Sequence, residues 1–388
     1  ALALALAQGG RRVALIDPAP AAVRATEGFD GRSYALALAS VRMLRALGLG
    51  AVVDAEGQPI LKIRVSDGRA GDGASPLWLG FDHAEIEEGP MGHMIEDRHL
   101  RRALLDAVAG MPRIELVEAD RVTDQAPVPG GIAVTLASGR RLTGLMLAGC
   151  DGVGSGTARR AGLRHLGRRY GQTALVCALH HELPHEGVAH QFFMPEGPLA
   201  ILPLKGHRSS IVWTESDARA AAIHALDDAG YLAALRPRFG DFLGRITLAG
   251  ARYTYPLMLK LAYSFTAPRV ALVGDDAHRV HPIAGQGLTA GLRDVAALAE
   301  VVTEAARRGE DVGSADVLDR YARWRRFDAT ALAAATDGFN RLFSNDNPLL
   351  RFGRDLGLGA VAQSPRLRRG FIREAAGLTG DLPALMRG

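Results

Sequence analysis

The residues best suited to chemistry lie in one stretch: Gly274-Asp275-Asp276-Ala277-His278-Arg279-Val280-His281-Pro282-Ile283-Ala284-Gly285-Gln286-Gly287-Leu288-Thr289. The apolar run Val270 to Val273 reads as a buried strand, and Asp275 follows its carboxyl end. In an open α/β sheet that is where polar groups are delivered to a ligand. Gly285 and Gly287 let main-chain N–H groups approach a planar or anionic ligand with no Cβ in the way. A helical pattern starts near Leu288, and the positive end of its dipole suits a ligand that gains negative charge during reaction. The elements that must position these groups are a strand, a Gly- and Pro-rich loop and a helix start.

The same stretch closely resembles the second FAD-binding motif of flavin-dependent aromatic hydroxylases, Gly-Asp-Ala-Ala-His…Pro…Gly-Gln-Gly. Its part from His281 to Leu288 is most similar to the ubiquinone-biosynthesis (polyprenylphenol) hydroxylases. Two positions depart from the pattern: Asp276 where a small residue is common, and Thr289 where Asn is. The resemblance implies that Asp275 accepts hydrogen bonds from the ribityl hydroxyls of FAD. It implies that Gly285, Gln286, Gly287, Leu288 and Thr289 offer main-chain N–H groups to the pyrimidine edge of the isoalloxazine, and that Pro282 shapes the loop on the ring face. For His278, locking the loop by hydrogen bonding is the commoner duty of such a histidine.

At 388 residues the chain can hold two domains, or one with a helical annex. With 48% hydrophobic and 23% charged residues it reads as an ordinary soluble globular protein. Nothing in it approaches the apolar length needed to cross a bilayer. A net charge of +4, too small and too dispersed for nucleic acid, is compatible with an anionic cofactor or an anionic membrane surface. Cys150 and Cys177 make no metal or redox spacing, so a reducing cytoplasm is the expected compartment. Cys150, in an apolar run, is expected as a small core residue.

The opening run of Ala and Leu, residues 1–7, predicts a buried helix that turns at Gly9-Gly10 into a strand at residues 12–17. Helix, turn, strand and acid in that order are the second half of a Rossmann βαβ unit, and Asp17 stands where an acid binds a ribose hydroxyl. The Gly-x-Gly-x-x-Gly loop that normally precedes such an acid by about 20 residues is not in this sequence. The expectation is a truncated chain that binds FAD poorly as given. Residues 36–47 read as a helix. Arg32, at an Asp-x-Arg position, matches an arginine that lies against the cofactor in the family. Arg98 and Leu100 resemble the family's Arg-x-x-Leu helix entry with spacing one residue tighter, and Asp97 is the expected N-cap. His83 and Glu85 read as part of a solvated strand face rather than as metal ligands.

Residues 131–136 and 142–147 read as strands joined by a turn at Ser138-Gly139, the second running into Gly149-Cys150-Asp151-Gly152. That end resembles the hydroxylases' Asp-Gly motif, which implies a cofactor role for Asp151. Ala158 stands where the family carries Arg, and Arg159 follows it. Residues 173–179, 191–194, 199–204, 210–214 and 246–255 read as an antiparallel sheet with one helix around 218–235. His180, His181, His185 and His190 fall in this region on a Pro- and Gly-broken run, which does not offer convergent metal ligands. Helices are expected at 288–307 and 317–335. Ser364-Pro365 starts a short basic amphipathic helix carrying Leu367, Phe371 and Ile372 beside Arg366, Arg369 and Arg373. It could dock on the protein's own surface, on a second subunit of a homo-oligomer, or on the inner face of a membrane.

The expected class is α/β: a Rossmann-like FAD-binding domain (1–66, 94–166 and 258–312) interleaved with an antiparallel β-sheet substrate domain (67–93 and 167–257), plus C-terminal helices (313–388). The resemblance implies an FAD monooxygenase acting on a polyprenylated phenol in ubiquinone biosynthesis, with NAD(P)H and O₂, by way of a C4a-hydroperoxyflavin. An FAD hydroxylase of another aromatic compound, or a non-catalytic flavoprotein of a quinone-synthesis complex, is the alternative. No residue is singled out as the phenol-activating base; His281, Tyr253 and Tyr255 are candidates by position. Removal of the tail from Pro365 to Gly388 is expected to leave flavin binding intact while lowering turnover of a long-chain substrate.

Overall fold

A computed structural model describes residues 1–20, 23, 28–67, 78–194, 196–281, 286–343 and 363–388. Pro282 and Gly285 of the cofactor-loop expectation lie outside these residues. The opening helix Leu2–Gln8 buries Ala3 to Ala7, and the strand Val13–Asp17 follows it, pairing in parallel with Ile114–Glu118. The helix packs so closely on Gln286–Arg307 that a Cβ on Gly9 would collide with the Thr303 hydroxyl. A second parallel pair joins Leu147–Gly149 to Val270–Leu272, with Thr266–Ala267 antiparallel at its side. Residues from both pairs and from the helix Gln286–Arg307 share one hydrophobic core, including Leu4, Leu272, Ala296 and Leu298.

A larger, nine-stranded mixed sheet forms the other layer. Its long central strand, His165–His181, pairs antiparallel with Arg208–Ser216 on one side and with Tyr253–Ala262 on the other. Strand periodicity puts Leu175, Cys177 and Leu179 on one face, packed with residues of the helices Asp217–His224 and Asp228–Phe239. Ala178, Ala189 and Leu204 on the opposite face pack against Ile60, Met91 and Met94.

This sheet takes in more chain than the pattern suggested. Lys62–Asp67 belongs to it, paired in parallel with Val188–Phe193, and Tyr253–Ala262 runs through the expected boundary at 258. His278–Arg279, in the stem of the Gly-Asp loop, also pairs with it, at Lys260 and Leu261. A hydrophobic run marks a strand but not its partner, so boundaries drawn from pattern fall short of the ladders.

Other differences have local causes. The strand expected over 142–147 is two strands: Arg141–Gly144 closes the hairpin with Gly131–Leu136, whereas Leu147–Gly149 joins the parallel pair. The helix expected around 218–235 is broken, because Asp227 accepts from the Gly230 N–H and caps a new helix. His83–Glu85 is a 3₁₀ turn capped by Asp82 rather than strand. Cys150, just past the end of its strand, keeps an exposed surface although the protein around it is dense enough for burial to push its thiol up to about 12.

The tail is wired into the core. Ile372, Ala376 and Met386 are buried, the Ala39 N–H donates to the Ala376 carbonyl at 3.1 Å, and Arg293 donates to the Gly377 carbonyl at 2.7 Å. Deleting Pro365 to Gly388 would strip these contacts, which speaks against flavin binding surviving that truncation intact. No helix among the described residues is long and apolar enough to cross a membrane.

Candidate functional site

The Gly-Asp loop is fixed from beneath by a buried polar chain. Gly274 has φ +65° and lies against Gly291, a close approach that two glycines permit. The Gly274 N–H donates to Asp294 Oδ2 at 2.9 Å, and His278 Nε2 lies 2.7 Å from the same oxygen. Arg325 Nε donates to Asp294 Oδ1 at 2.7 Å and Arg325 Nη1 to Asp328 at 2.6 Å. Asp294 is fully buried and Arg325 nearly so; the histidine and the guanidinium hold the Asp294 carboxyl below the usual carboxylate range against its burial. His278 is thus a loop lock, as expected of it.

On this clamp the two aspartates point into different surroundings. Asp275 is exposed and has no hydrogen-bond partner among the described residues. Asp276 is wholly buried, and its Oδ2 takes a 2.8 Å contact with Ser155 Oγ, which also lies 2.9 Å from Asp151 Oδ1. A Cβ on Gly149 would come within 2.6 Å of Asp276 Oδ2. Burial first, and then Asp151, pushes Asp276 up to about 8. Asp151 is brought down to about 2: its burial is outweighed by hydrogen bonds from Asp276, Thr157 and Ser155. The two carboxyls compete for a proton, and Asp276 is the one that holds it in preference. Asp151 also accepts from the Gly156 and Thr157 N–H groups, so it organises its own loop as well as facing Asp276.

A cleft of about 430 Å³ opens beside this pair, lined in part by Ser155, Arg159, Arg164, His165 and Lys260. Lys260 donates to the Val153 carbonyl at 2.7 Å, and His165 Nε2 lies 2.7 Å from the Asp276 carbonyl. The helix Gln286–Arg307 starts with no acid in its first turn; Gly287 and Leu288 are half-buried and Thr289 is buried. The first N–H groups of a helix have no partner within it, and its positive dipole end faces away from its own chain.

Asp17 ends its strand and accepts from the Ala19 N–H at 2.8 Å. Arg32 and Arg98 enter a cluster of charge and aromatic rings. Arg32 pairs with Asp30 at 2.6 Å and lies over the Tyr253 ring, while Arg98 pairs with Glu96 at 2.7 Å and lies over Phe29.

The family model described as an FAD binding domain matches residues 1–336. Ubiquinone hydroxylase UbiL of Rhodospirillum rubrum is 43% identical, over 100% of this chain and 90% of that protein. The 3-demethoxyubiquinol 3-hydroxylase of Escherichia coli is 33% identical, over 97% and 95% respectively. The chain belongs to the ubiquinone-biosynthesis hydroxylases of the FAD-binding family. Among solved structures, the p-nitrophenol 4-monooxygenase PnpA of Pseudomonas putida DLL-E4 matches with a TM-score of 0.79 at 18% identity, covering 98% of this chain and 95% of that one. HpxO of Klebsiella pneumoniae, complexed with FAD, matches at 0.73 and 19%, over 97% and 95%. These two likenesses concern the fold.

As a member of this family the chain is an FAD-dependent monooxygenase, and the donor set fits that cofactor. An exposed carboxylate at a strand end can accept from sugar-like hydroxyls, and a helix start without a first-turn acid suits the electron-rich edge of a reduced ring. Of the three residues expected as candidates for a phenol-activating base, Tyr253 spends its hydroxyl on the Asp30 carbonyl at 3.0 Å. Tyr255 stacks beside it at 6.4 Å and is 39% exposed. His281 is 0% exposed and is not part of that pair; it meets Tyr170 instead, with ring centroids 5.1 Å apart. Of the clustered histidines, His181 and His185 meet edge-on with ring centroids 5.7 Å apart, His181 contacting the Leu183 carbonyl and Ser209 and His185 the Leu204 carbonyl, while His190 lies 4.6 Å from the Phe242 ring.

Sequence reasoning missed Ser155, Lys260, Asp294 and Arg325. One signal was available for Asp294, an acid on the apolar stripe of a long helix, which folding keeps only with partners. Ser155 also left a local mark, four residues after Asp151 and at the N-cap of the helix Gly156–Arg160, whereas Lys260 and Arg325 meet Val153 and Asp294 across long stretches of sequence.

Proposed function

We propose that this chain hydroxylates the aromatic ring of a polyprenylated phenol in ubiquinone biosynthesis, consuming NAD(P)H and O₂. Bound FAD supplies the redox chemistry that activates oxygen. In this reading Asp275 holds the ribityl hydroxyls, Asp17 a ribose hydroxyl, and the N–H groups at Gly287 to Thr289 the pyrimidine edge. Asp151 positions the loop facing the cofactor, and Arg32 and Arg98 border it from the aromatic cluster. The observation that carries the reading is the contrast within the loop: a hydrogen-bonded, buried clamp at His278, Asp294 and Arg325 presents one exposed carboxylate, Asp275, with no hydrogen-bond partner among the described residues. A clamp of that kind supports a ligand-binding residue because it fixes the position of a group that does no structural work itself.

Asp275→Ala is expected to fold normally and to hold FAD roughly 5- to 150-fold more weakly, the equivalent of about 1–3 kcal/mol for a lost charged acceptor. Flavin content after gel filtration, set beside the melting temperature, checks it. Early melting with unchanged flavin would make Asp275 structural. The substrate class is tested by supplying a short-chain prenylphenol with NAD(P)H and analysing the product for one added oxygen. A polyprenylated phenol dissolves in the bilayer, so we also place the working enzyme at a lipid surface, a reading supported by Arg366, Leu367 and Arg369 on the exposed side of the helix Pro365–Ala375.

A further inference from the structure

Two histidines stand three residues apart in the same loop, and their circumstances are opposite. His278 is tied to Asp294 and accounts for the locking of the loop. His281 is buried too, at 0% exposure, yet neither Nδ1 nor Nε2 has a hydrogen-bond partner among the described residues. Two orphaned ring nitrogens are unusual in a folded protein, where buried polar atoms are nearly all satisfied by protein, water or ligand. Burial keeps the ring neutral, with His281 brought down to about 4 against a small opposing effect of Asp337. A neutral imidazole carries one N–H and one lone pair. Those are the two complements of a phenol hydroxyl, which needs an acceptor for its proton and tolerates a donor on its oxygen.

The neighbours of His281 suit an aromatic guest. The Tyr170 ring meets it at 5.1 Å and 78°, and Arg168 lies over Tyr170 at 5.2 Å while pairing with Asp337 at 2.7 Å. This wall rises where the central strand of the large sheet bulges between Arg169 and Thr173. Bulges re-aim side chains and recur beside active sites. His281 follows directly on the stem His278–Arg279 that adds to the edge of that sheet, so it sits where the cofactor loop meets the substrate-side layer. The tyrosines are poorer claimants, since Tyr253 already donates to Asp30 and Tyr255 is substantially exposed.

We infer that His281 recognises the ring hydroxyl of the phenolic substrate, one ring nitrogen accepting its proton in a hydrogen bond, with Tyr170 as the aromatic wall. The inference rests on the reading of the chain as a phenol hydroxylase. His281 then selects rings that carry a hydroxyl and sets their register against the cofactor. A ring whose hydroxyl is methylated cannot donate and is bound less well.

The FAD-loaded full chain is titrated with 2-allylphenol and with its methyl ether, following the flavin absorbance change on binding and, separately, calorimetric heat. The native protein should favour the phenol. His281→Leu should lose roughly tenfold in phenol affinity, the worth of one such hydrogen bond, and cease to distinguish the two ligands. His281→Gln, whose amide offers both a donor and an acceptor, should keep most of the preference, a rescue that a purely packing role would not produce. Phenol binding and discrimination in His281→Leu equal to the native protein's would overturn the inference and leave the proposed function standing. A native protein that binds neither compound would sink both. Should the leucine variant not fold, His281→Phe, a ring of similar shape without nitrogen, is read in the same way.

Discussion

Asp275 and Asp276 stand side by side, one exposed and one wholly buried, and the difference decides what each can do. An exposed carboxylate is available to a ligand. A buried one beside a second carboxylate takes up a proton, because the two cannot both carry charge cheaply in a dry site. For Asp276 the folded state binds a proton tightly, up to about 8, that the unfolded chain releases in the ordinary carboxylate range. Stability from this group is therefore full at low pH and falls as pH rises towards 8. Asp151, brought down to about 2, acts in the opposite sense and loses its contribution only in strong acid. Asp276→Asn keeps an acceptor for Ser155 and abolishes the titration. The expected outcome is a variant that melts higher than the native protein at pH 8, by about 1–3 kcal/mol, the scale of a buried polar penalty. Near pH 4, where the unfolded carboxylate also takes up its proton, the two should converge. Melting curves across pH 4 to 9 check it, and parallel curves would show that Asp276 does not titrate in that window.

At the scale of elements, the ligand loop was legible because its signal is local. A β-branched run, Gly-Asp, a Gly- and Pro-rich loop and a helix start follow one another without interruption, and each has a backbone reason. What the loop leans on was not legible. Asp294 and Arg325 sit one and two helices further on, and only packing brings them under His278. The Asp-Gly turn shows the same limit: Asp151 was marked by its motif, but the partner that shares its proton is 125 residues away at Asp276. Even Asp276, noticed as a departure from the usual small residue, gave no hint of Ser155. Gly149 is the joint between these two elements, since its strand ends against the Asp276 carboxyl. Adding a Cβ there would leave 2.6 Å to Asp276 Oδ2 and 2.9 Å to Thr157 Cγ2. Gly149→Ala should cost about 1–3 kcal/mol through overpacking and loosen both loops together. Denaturant unfolding gives the stability, and the pH response of the Asp276 pair should shrink with it. A neutral outcome in both would mean that the strand end shifts freely.

For the whole molecule, the proposed substrate, a polyprenylated phenol, raises the matter of how a chain with this fold reaches a compound that dissolves in lipid. Sequence pattern marked the helix Pro365–Ala375 as basic and amphipathic but could not tell which side was already taken. The inward side is: Ile372 is buried, Phe371 lies 6.0 Å from Phe81, and Arg368 and Arg373 pair with Glu85 and Glu88. The tail behind it completes the core, so deletion would report on folding rather than on lipid. Arg366, Leu367 and Arg369 remain on the exposed side, Leu367 at 50% exposure. Cations on that side are worth about 1 kcal/mol each near an anionic leaflet, and salt screens them. Replacing Arg366 and Arg369 by Gln together should therefore reduce co-sedimentation with phosphatidylglycerol-containing vesicles by roughly 10- to 30-fold at low salt. The same change should leave the melting temperature, flavin content and turnover of a short-chain phenol as they were. Turnover of a long-chain phenol carried in those vesicles should fall with the binding. If native protein and variant sediment alike, this face does not meet lipid, and the substrate must reach the site by another route.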